Sequence, residues 1–196
     1  MFTGIVQDIG TLVAIVKNGD FLLKIKTDSL SLANTSLGAS MACSGICLTI
    51  IKKQDNIFHV QASSETLDKT TIKNWKIGTR INLEPALRMG DELGGHLVTG
   101  HIDGVATLTA KTRENDSLRL SFQAPAACAR FLTPKGSVTL DGVSLTVNEV
   151  NQAHFTVTLI PHTQAATTLG TINVNDSVNF EADMIARYTE RLLRVP

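Results

Sequence analysis

Residues 47–50 read CLTI and residues 144–147 read SLTV, so a thiol, Cys47, and a hydroxyl, Ser144, head nearly the same short phrase. Either group could act as a nucleophile or as a hydrogen-bonding contact to a bound molecule. A thiol is potent only as its thiolate, and no basic residue adjoins Cys47 in the sequence. Cys47 therefore reads as a contact that can be replaced. Zinc is the other chemistry that cysteine suggests. Cys43 and Cys47 have no second Cys or His pair at finger-like spacing, and the five histidines are scattered at 59, 96, 101, 154 and 162, so no metal site is expected. With Cys128 the cysteines number three, an odd count that argues against a disulfide framework.

The two phrases sit inside longer matches. GASMACSGICLTI from Gly38 aligns with KGSVTLDGVSLTV from Lys135, pairing Ser40 with Ser137, Gly45 with Gly142 and Thr49 with Thr146. MFTGIVQDIGTL aligns with LVTGHIDGVATL, so that Thr3, Gly4, Thr11 and Leu12 recur as Thr99, Gly100, Thr107 and Leu108. SSETLDKTT faces IPHTQAATT, and IGTRINLE faces VNDSVNFE. Four matches in one order make a tandem duplication, which divides 196 residues into two domains of roughly 90 to 95 residues each. The boundaries expected are 1–96 for the first domain, 97–183 for the second and 184–196 for a terminal extension. With 18 basic and 18 acidic residues, the chain lacks the clustered positive charge of a nucleic-acid surface. It shows neither a membrane-length apolar run nor a secretion signal, and a cytoplasmic protein is expected.

The elements that must carry these residues are strands. Stretches rich in Val, Ile, Thr and Phe recur at 2–6, 11–16, 21–26, 46–51, 57–61 and 80–83, and again at 104–109, 118–122, 137–140, 144–150, 155–160 and 177–180. They alternate apolar with polar residues between turn formers such as NGD and KIG, the pattern of antiparallel strands. Six short strands per half bury their edges best by closing, which predicts an all-β protein of two six-stranded Greek-key β-barrels. Helix signals are few: a turn at SSETLDKTTI with a Ser cap, another at PAACARFL, and a terminal helix after the capping candidate Asp183. The last would carry Met184, Ile185, Tyr188, Leu192 and Val195 as an apolar stripe that must cover a barrel or meet a partner. The junction RMGDELGGHLVTGHIDG reads as packed structure entering the second barrel.

The opening MFTGIVQ, the junction GDELGGHLVTGHIDG, and the phrases LDGVSLTVNEV, IPHTQAATTLG and ARYTERLL closely resemble riboflavin synthases, enzymes built from two lumazine-binding repeats. The departures are Ser44, where that family more often has Asn, and Pro85, where a basic residue is common. The resemblance implies a transferase in which two molecules of 6,7-dimethyl-8-ribityllumazine exchange a four-carbon unit. One becomes riboflavin and the other 5-amino-6-ribitylaminouracil, and no metal or cofactor is needed. It also implies a homotrimer held by the terminal helices, with each working site between the first barrel of one subunit and the second barrel of its neighbour. Association with a lumazine synthase shell stays open. The antenna proteins that hold a lumazine without converting it are the competing reading. Their second repeat tends to lose the ligand motif, whereas GHIDG, DGVSLTV and IPHT persist here.

On this resemblance, Cys47, Leu48 and Thr49 would line one pocket and Ser144, Leu145 and Thr146 the other. The alignment matches Gly4, Ile5 and Val6 with Gly100, His101 and Ile102. It likewise matches Gln61, Ala62, Ser63, Ser64, Glu65 and Thr66 with Thr158, Leu159, Ile160, Pro161, His162 and Thr163. Lys135 would hold a ring oxygen or a ribityl hydroxyl. His101 would be the base for the acidic C7 methyl of the acceptor. Ser144 and Thr146 would position water or relay the proton, and Cys47, a hydroxyl or water would attack the donor. Asp183 would orient the ribityl chain or serve only as a helix cap. His59, His96 and His154 are expected at the surface or at barrel ends, without a role in chemistry.

Overall fold

The computed structural model describes residues 1–18 and 20–193, so Gly19 of the NGD turn and Val195 of the terminal stripe lie outside the described residues. The first barrel comprises β1 (Asp8–Asn18), β2 (Asp20–Lys26), β3 (Ser40–Cys43), β4 (Ile46–Gln54), β5 (Ile57–Ala62) and β6 (Arg80–Pro85), closed in the order β1-β2-β5-β4-β3-β6. The second comprises β7 (Gly104–Glu114), β8 (Ser117–Gln123), β9 (Ser137–Leu140), β10 (Val143–Asn151), β11 (His154–Leu159) and β12 (Ser177–Ala182), with the same cyclic connectivity. All pairings within the barrels are antiparallel. Even the irregularities repeat: register shifts fall between Leu12 and Ala14 and between Leu108 and Ala110, and again between Ile50 and Lys52 and between Val147 and Glu149.

Two strand expectations change. Residues 2–6 do not form a strand, and only Phe2 bridges, to Val98. The amides of Thr3 and Gly4 go instead to the buried carboxylate of Glu84, at 2.6 and 3.0 Å. The sixth strand of the first half is β3, whose Met41, Ala42 and Cys43 are all buried and so show no alternation to mark them. Short helices follow β5 and β11: α1 (Ser64–Lys69), capped by Ser63 through the Thr66 amide, and α2 (Pro161–Ala166), with Pro at its first turn.

Each barrel has its own apolar core. Phe122, Phe155 and Phe180 fill the second, the first two stacked at 5.7 Å and the last two edge-on at 6.0 Å; Leu12, Leu23, Ile50, Phe58 and Val60 fill the first. Equivalent two-residue hairpins, Ser44-Gly45 and Asp141-Gly142, all at positive φ, bring the barrels together. A Cβ on either glycine would lie 2.7 Å from the other's amide nitrogen, so both positions require glycine. Two buried asparagines complete the clamp. Asn82 donates to the Asp141 carbonyl at 2.8 Å and accepts from the Thr168 amide at 2.8 Å; Asn179 donates to the Ser44 carbonyl at 2.9 Å and accepts from the Thr71 amide at 2.8 Å.

The terminal helix α3 (Met184–Leu193) docks on the second barrel through Arg187–Asp103 and Arg130–Glu190 contacts of 2.7 and 3.1 Å. Its Ile185, Tyr188, Leu192 and Leu193 remain exposed. Among the described residues no helix is long and apolar enough to cross a membrane.

Candidate functional site

The repeated phrases lie on β4 and β10, where alternation decides which side chains a ligand can reach. Cys47 and Thr49 turn outward while Leu48 points into the first core; Ser144 and Thr146 turn outward while Leu145 points into the second. Ala62 and Leu159 are likewise core side chains, so these four core positions offer a ligand only their main-chain groups.

The two segments that approach these strands come from the opposite repeat. The Cys47 amide donates to the carbonyl of Gly100 at 2.9 Å, and the Ser144 amide donates to that of Gly4 at 2.8 Å. Ile102 packs on the core of the first barrel and Val6 on that of the second. Each approaching loop is held by the barrel of its own repeat through a buried glutamate. Glu84 binds the Thr3 amide and hydroxyl and the Gly4 amide, and Glu181 binds those of Thr99 and Gly100, all within 2.6–3.0 Å. Burial pushes both carboxyls above their usual range, and these hydrogen bonds pull them back. The NLE and NFE matches carried this signal, although neither Glu was expected at a site.

A cavity of about 250 Å³ opens beside Cys47. Its lining joins Cys47, Glu65 and Thr66 of the first repeat to Gly100, His101 and Ile102 of the second, with Ile46, Lys69 and Thr70. Gln61, Ser63 and Ser64 are exposed nearby at the end of β5 and the start of α1. The counterpart stretch has Thr158 bonded to Asn148 at 3.2 Å, Ile160 exposed as the cap position of α2, and Pro161, His162 and Thr163 in its first turn. Ile5 is 42% exposed near Gly94. Lys135 is exposed at φ 69°, where the first repeat has Gly38 at φ 83°. Asp183 caps α3 by accepting from the Ile185 amide at 2.9 Å.

The surroundings of Cys47 and Ser144 differ sharply. Cys47 packs against Phe2, Ala42 and Val98, an apolar seat. Ser144 instead meets His96, its Oγ 2.7 Å from Nδ1, and the other ring nitrogen lies 3.1 Å from the hydroxyl of Thr139. Thr139 stands opposite Ser144 in the sheet where Ala42 stands opposite Cys47. Burial lowers the His96 pKa, with the negative charge of Asp183 working against it. The expectation placed His96 at the surface or at a barrel end; it is instead half-buried against Ser144 and Thr139. A single histidine in a glycine-rich junction gave no sign of it, since its partners lie 43 and 48 residues away. Gly95 makes the approach feasible, because a side chain there would strike the Thr3 carbonyl and Ser144. Among the described residues, no three His, Cys, Asp or Glu side chains gather as a metal-binding group.

Two closed barrels exchange loops, so that Cys47 and Ser144 are each met by a segment of the opposite repeat. The model of the lumazine binding domain matches twice, at residues 3–86 and 99–183, and the chain belongs to that family. It is 47% identical over 198 residues to the riboflavin synthase of Brucella abortus (strain 2308), covering 98% of each chain. To the riboflavin synthase of Photobacterium phosphoreum it is 41% identical, with 100% of this chain and 90% of that one covered. Among solved structures, LumP complexed with riboflavin superposes with a TM-score of 0.86 at 26% identity. LumP complexed with 6,7-dimethyl-8-(1'-D-ribityl) lumazine gives 0.83 at the same identity. Each covers 93% of this chain and 99% of that one.

Proposed function

We propose that the protein is a riboflavin synthase, a transferase that dismutates two molecules of 6,7-dimethyl-8-ribityllumazine into riboflavin and 5-amino-6-ribitylaminouracil. The observation that carries this reading is the pair of sites with one framework and two chemistries: Cys47 in an apolar seat and Ser144 beside His96. A reaction between two copies of one molecule needs two similar pockets. Donor and acceptor undergo different steps, so the pockets must also differ.

The acceptor loses a proton from its C7 methyl, and the anion spreads into the ring. His101, on the wall of the Cys47 cavity, is the base within reach of a ligand there. The donor is attacked at C7 by water or by a side chain, after which its four-carbon unit passes to the acceptor anion. Thr49 and Thr146, exposed on β4 and β10, bind ligand polar groups, as do Lys135 and the main-chain groups at Leu48 and Leu145. Holding the two rings together contributes on the order of 7 to 11 kcal/mol at best, so positioning supplies much of the rate.

A cavity of about 250 Å³ is small for a ring system with a ribityl chain. A neighbouring subunit completes it: three copies join through the exposed stripe Ile185, Tyr188 and Leu192, setting residues 1–96 of one chain against 97–183 of the next. The reaction needs no metal or cofactor and belongs in the cytoplasm.

The LumP likeness favours one other reading, a carrier that binds a lumazine without converting it. Titration of the purified protein with the lumazine, followed by fluorescence and calorimetry, separates the two. Two ligands per chain support the synthase, and one ligand per chain supports the carrier.

A further inference from the structure

We propose that Thr139 is a positioning residue that holds His96 as the Nδ1–H tautomer, so that Ser144 offers its hydroxyl hydrogen to the ligand in the second pocket. The role given to the ligand rests on the function proposed above; the tautomer does not.

Thr139 is 1% exposed, and the hydrogen bond of its side chain runs to the Nε2 of His96 at 3.1 Å. Among the described residues this is its one partner, and a buried hydroxyl spends its hydrogen on such a partner, because a buried donor left unpaired is costly. Nε2 is therefore the acceptor. A neutral imidazole has one donor and one acceptor nitrogen, so the proton sits on Nδ1 and is donated to Ser144 Oγ, 2.7 Å away. His96 is held neutral by its burial, with Asp183 the charge that opposes this.

With its oxygen occupied by the Nδ1–H, Ser144 keeps its own hydrogen free for the pocket. It then donates to the donor lumazine bound there, at a ring carbonyl oxygen or a ring nitrogen that gains negative charge when C7 is attacked. His96 does not take a proton through Ser144 in this arrangement. The first repeat lacks the device, since Ala42 takes the place of Thr139 and the cysteine there sits among apolar groups.

The test is a ¹⁵N-histidine NMR spectrum of the ligand-free protein near neutral pH, with the His96 signals identified by their loss in His96→Gln. The expected wild-type pattern is a protonated Nδ1 and an unprotonated Nε2. Thr139→Ser keeps it; Thr139→Val, which retains the shape and loses the hydroxyl, shifts both signals toward a mixture of tautomers. In parallel, riboflavin formation falls about tenfold in Thr139→Val, the worth of one hydrogen bond, and returns in Thr139→Ser. A wild-type protein protonated at Nε2 overturns the proposal, as does a Thr139→Val spectrum indistinguishable from wild type. Should Thr139→Val fail to fold, the wild-type spectrum decides alone. A protein that makes no riboflavin leaves the tautomer result intact, and a wrong tautomer leaves the dismutation reading intact.

Discussion

The amide of Cys47 donates to the carbonyl of Gly100 at 2.9 Å, a contact between the first barrel and a loop that belongs to the second repeat. It permits no side chain. At φ 78° a Cβ on Gly100 would lie 2.6 Å from Cys47 Cβ and 3.0 Å from the ring of Phe2.

Gly100→Ala therefore combines left-handed strain with a collision, and a loss of about 1–3 kcal/mol in stability is expected. Gly38→Ala is the control. It has a similar φ of 83° but nothing within 4 Å, and its counterpart is Lys135, so it should cost about 1 kcal/mol or less. Urea midpoints of the two variants check this, and equal losses would mean that the loop contact is not tight.

Asn82→Ala leaves the Asp141 carbonyl and the Thr168 amide without their partners. Each abandoned buried group costs about 1–3 kcal/mol, and Asn179→Ala should behave alike. Denaturant unfolding of both singles and the double measures the clamp. A change within about 0.5 kcal/mol, as at ordinary surface sites, would show that the barrels do not depend on it.

Asp141 gives a pH dependence with a definite sign. Burial pushes its carboxyl up to about 7, from 3.8, against the opposing hydrogen bonds from Asn179. The folded state then binds a proton that the unfolded state releases, so this group's contribution is full below pH 3.8 and is lost as the pH rises through about 7. Unfolding at pH 5 and pH 8 should show a steeper fall in wild type than in Asp141→Asn. Parallel curves would place the titration elsewhere.

Single side-chain changes at the pockets should give graded losses of rate, because positioning carries much of the catalysis. Cys47→Ser should fall by about tenfold, and Ser144→Ala by about a hundredfold if it donates to developing charge. Steady-state rates with the lumazine check this. Complete loss in Cys47→Ser with both ligands still bound would make the thiol a required nucleophile.

Much of this architecture is legible in the sequence, because a strand announces itself locally by alternation and a duplication announces itself by repeating. Eleven of the twelve expected strands coincide with strands, and the exception is instructive. Residues 2–6 carry Phe2, Ile5 and Val6 as a strand would, yet the amides of Thr3 and Gly4 bond Glu84, 81 and 80 residues away, a partner that periodicity cannot reveal. Alignment pairs Gly4 with Gly100 but is silent on which barrel each touches, so the exchange of loops appears only in three dimensions. The same holds for His96. It has no counterpart in the first repeat, and its meaning comes wholly from Thr139 and Ser144.

The most direct measurement is to incubate the purified protein with 6,7-dimethyl-8-ribityllumazine alone and follow substrate and products by absorbance and chromatography. One riboflavin and one 5-amino-6-ribitylaminouracil for every two lumazines consumed is the result expected of paired, unlike pockets. Tight, fluorescent binding with the lumazine returned unchanged would contradict it and make the protein a carrier.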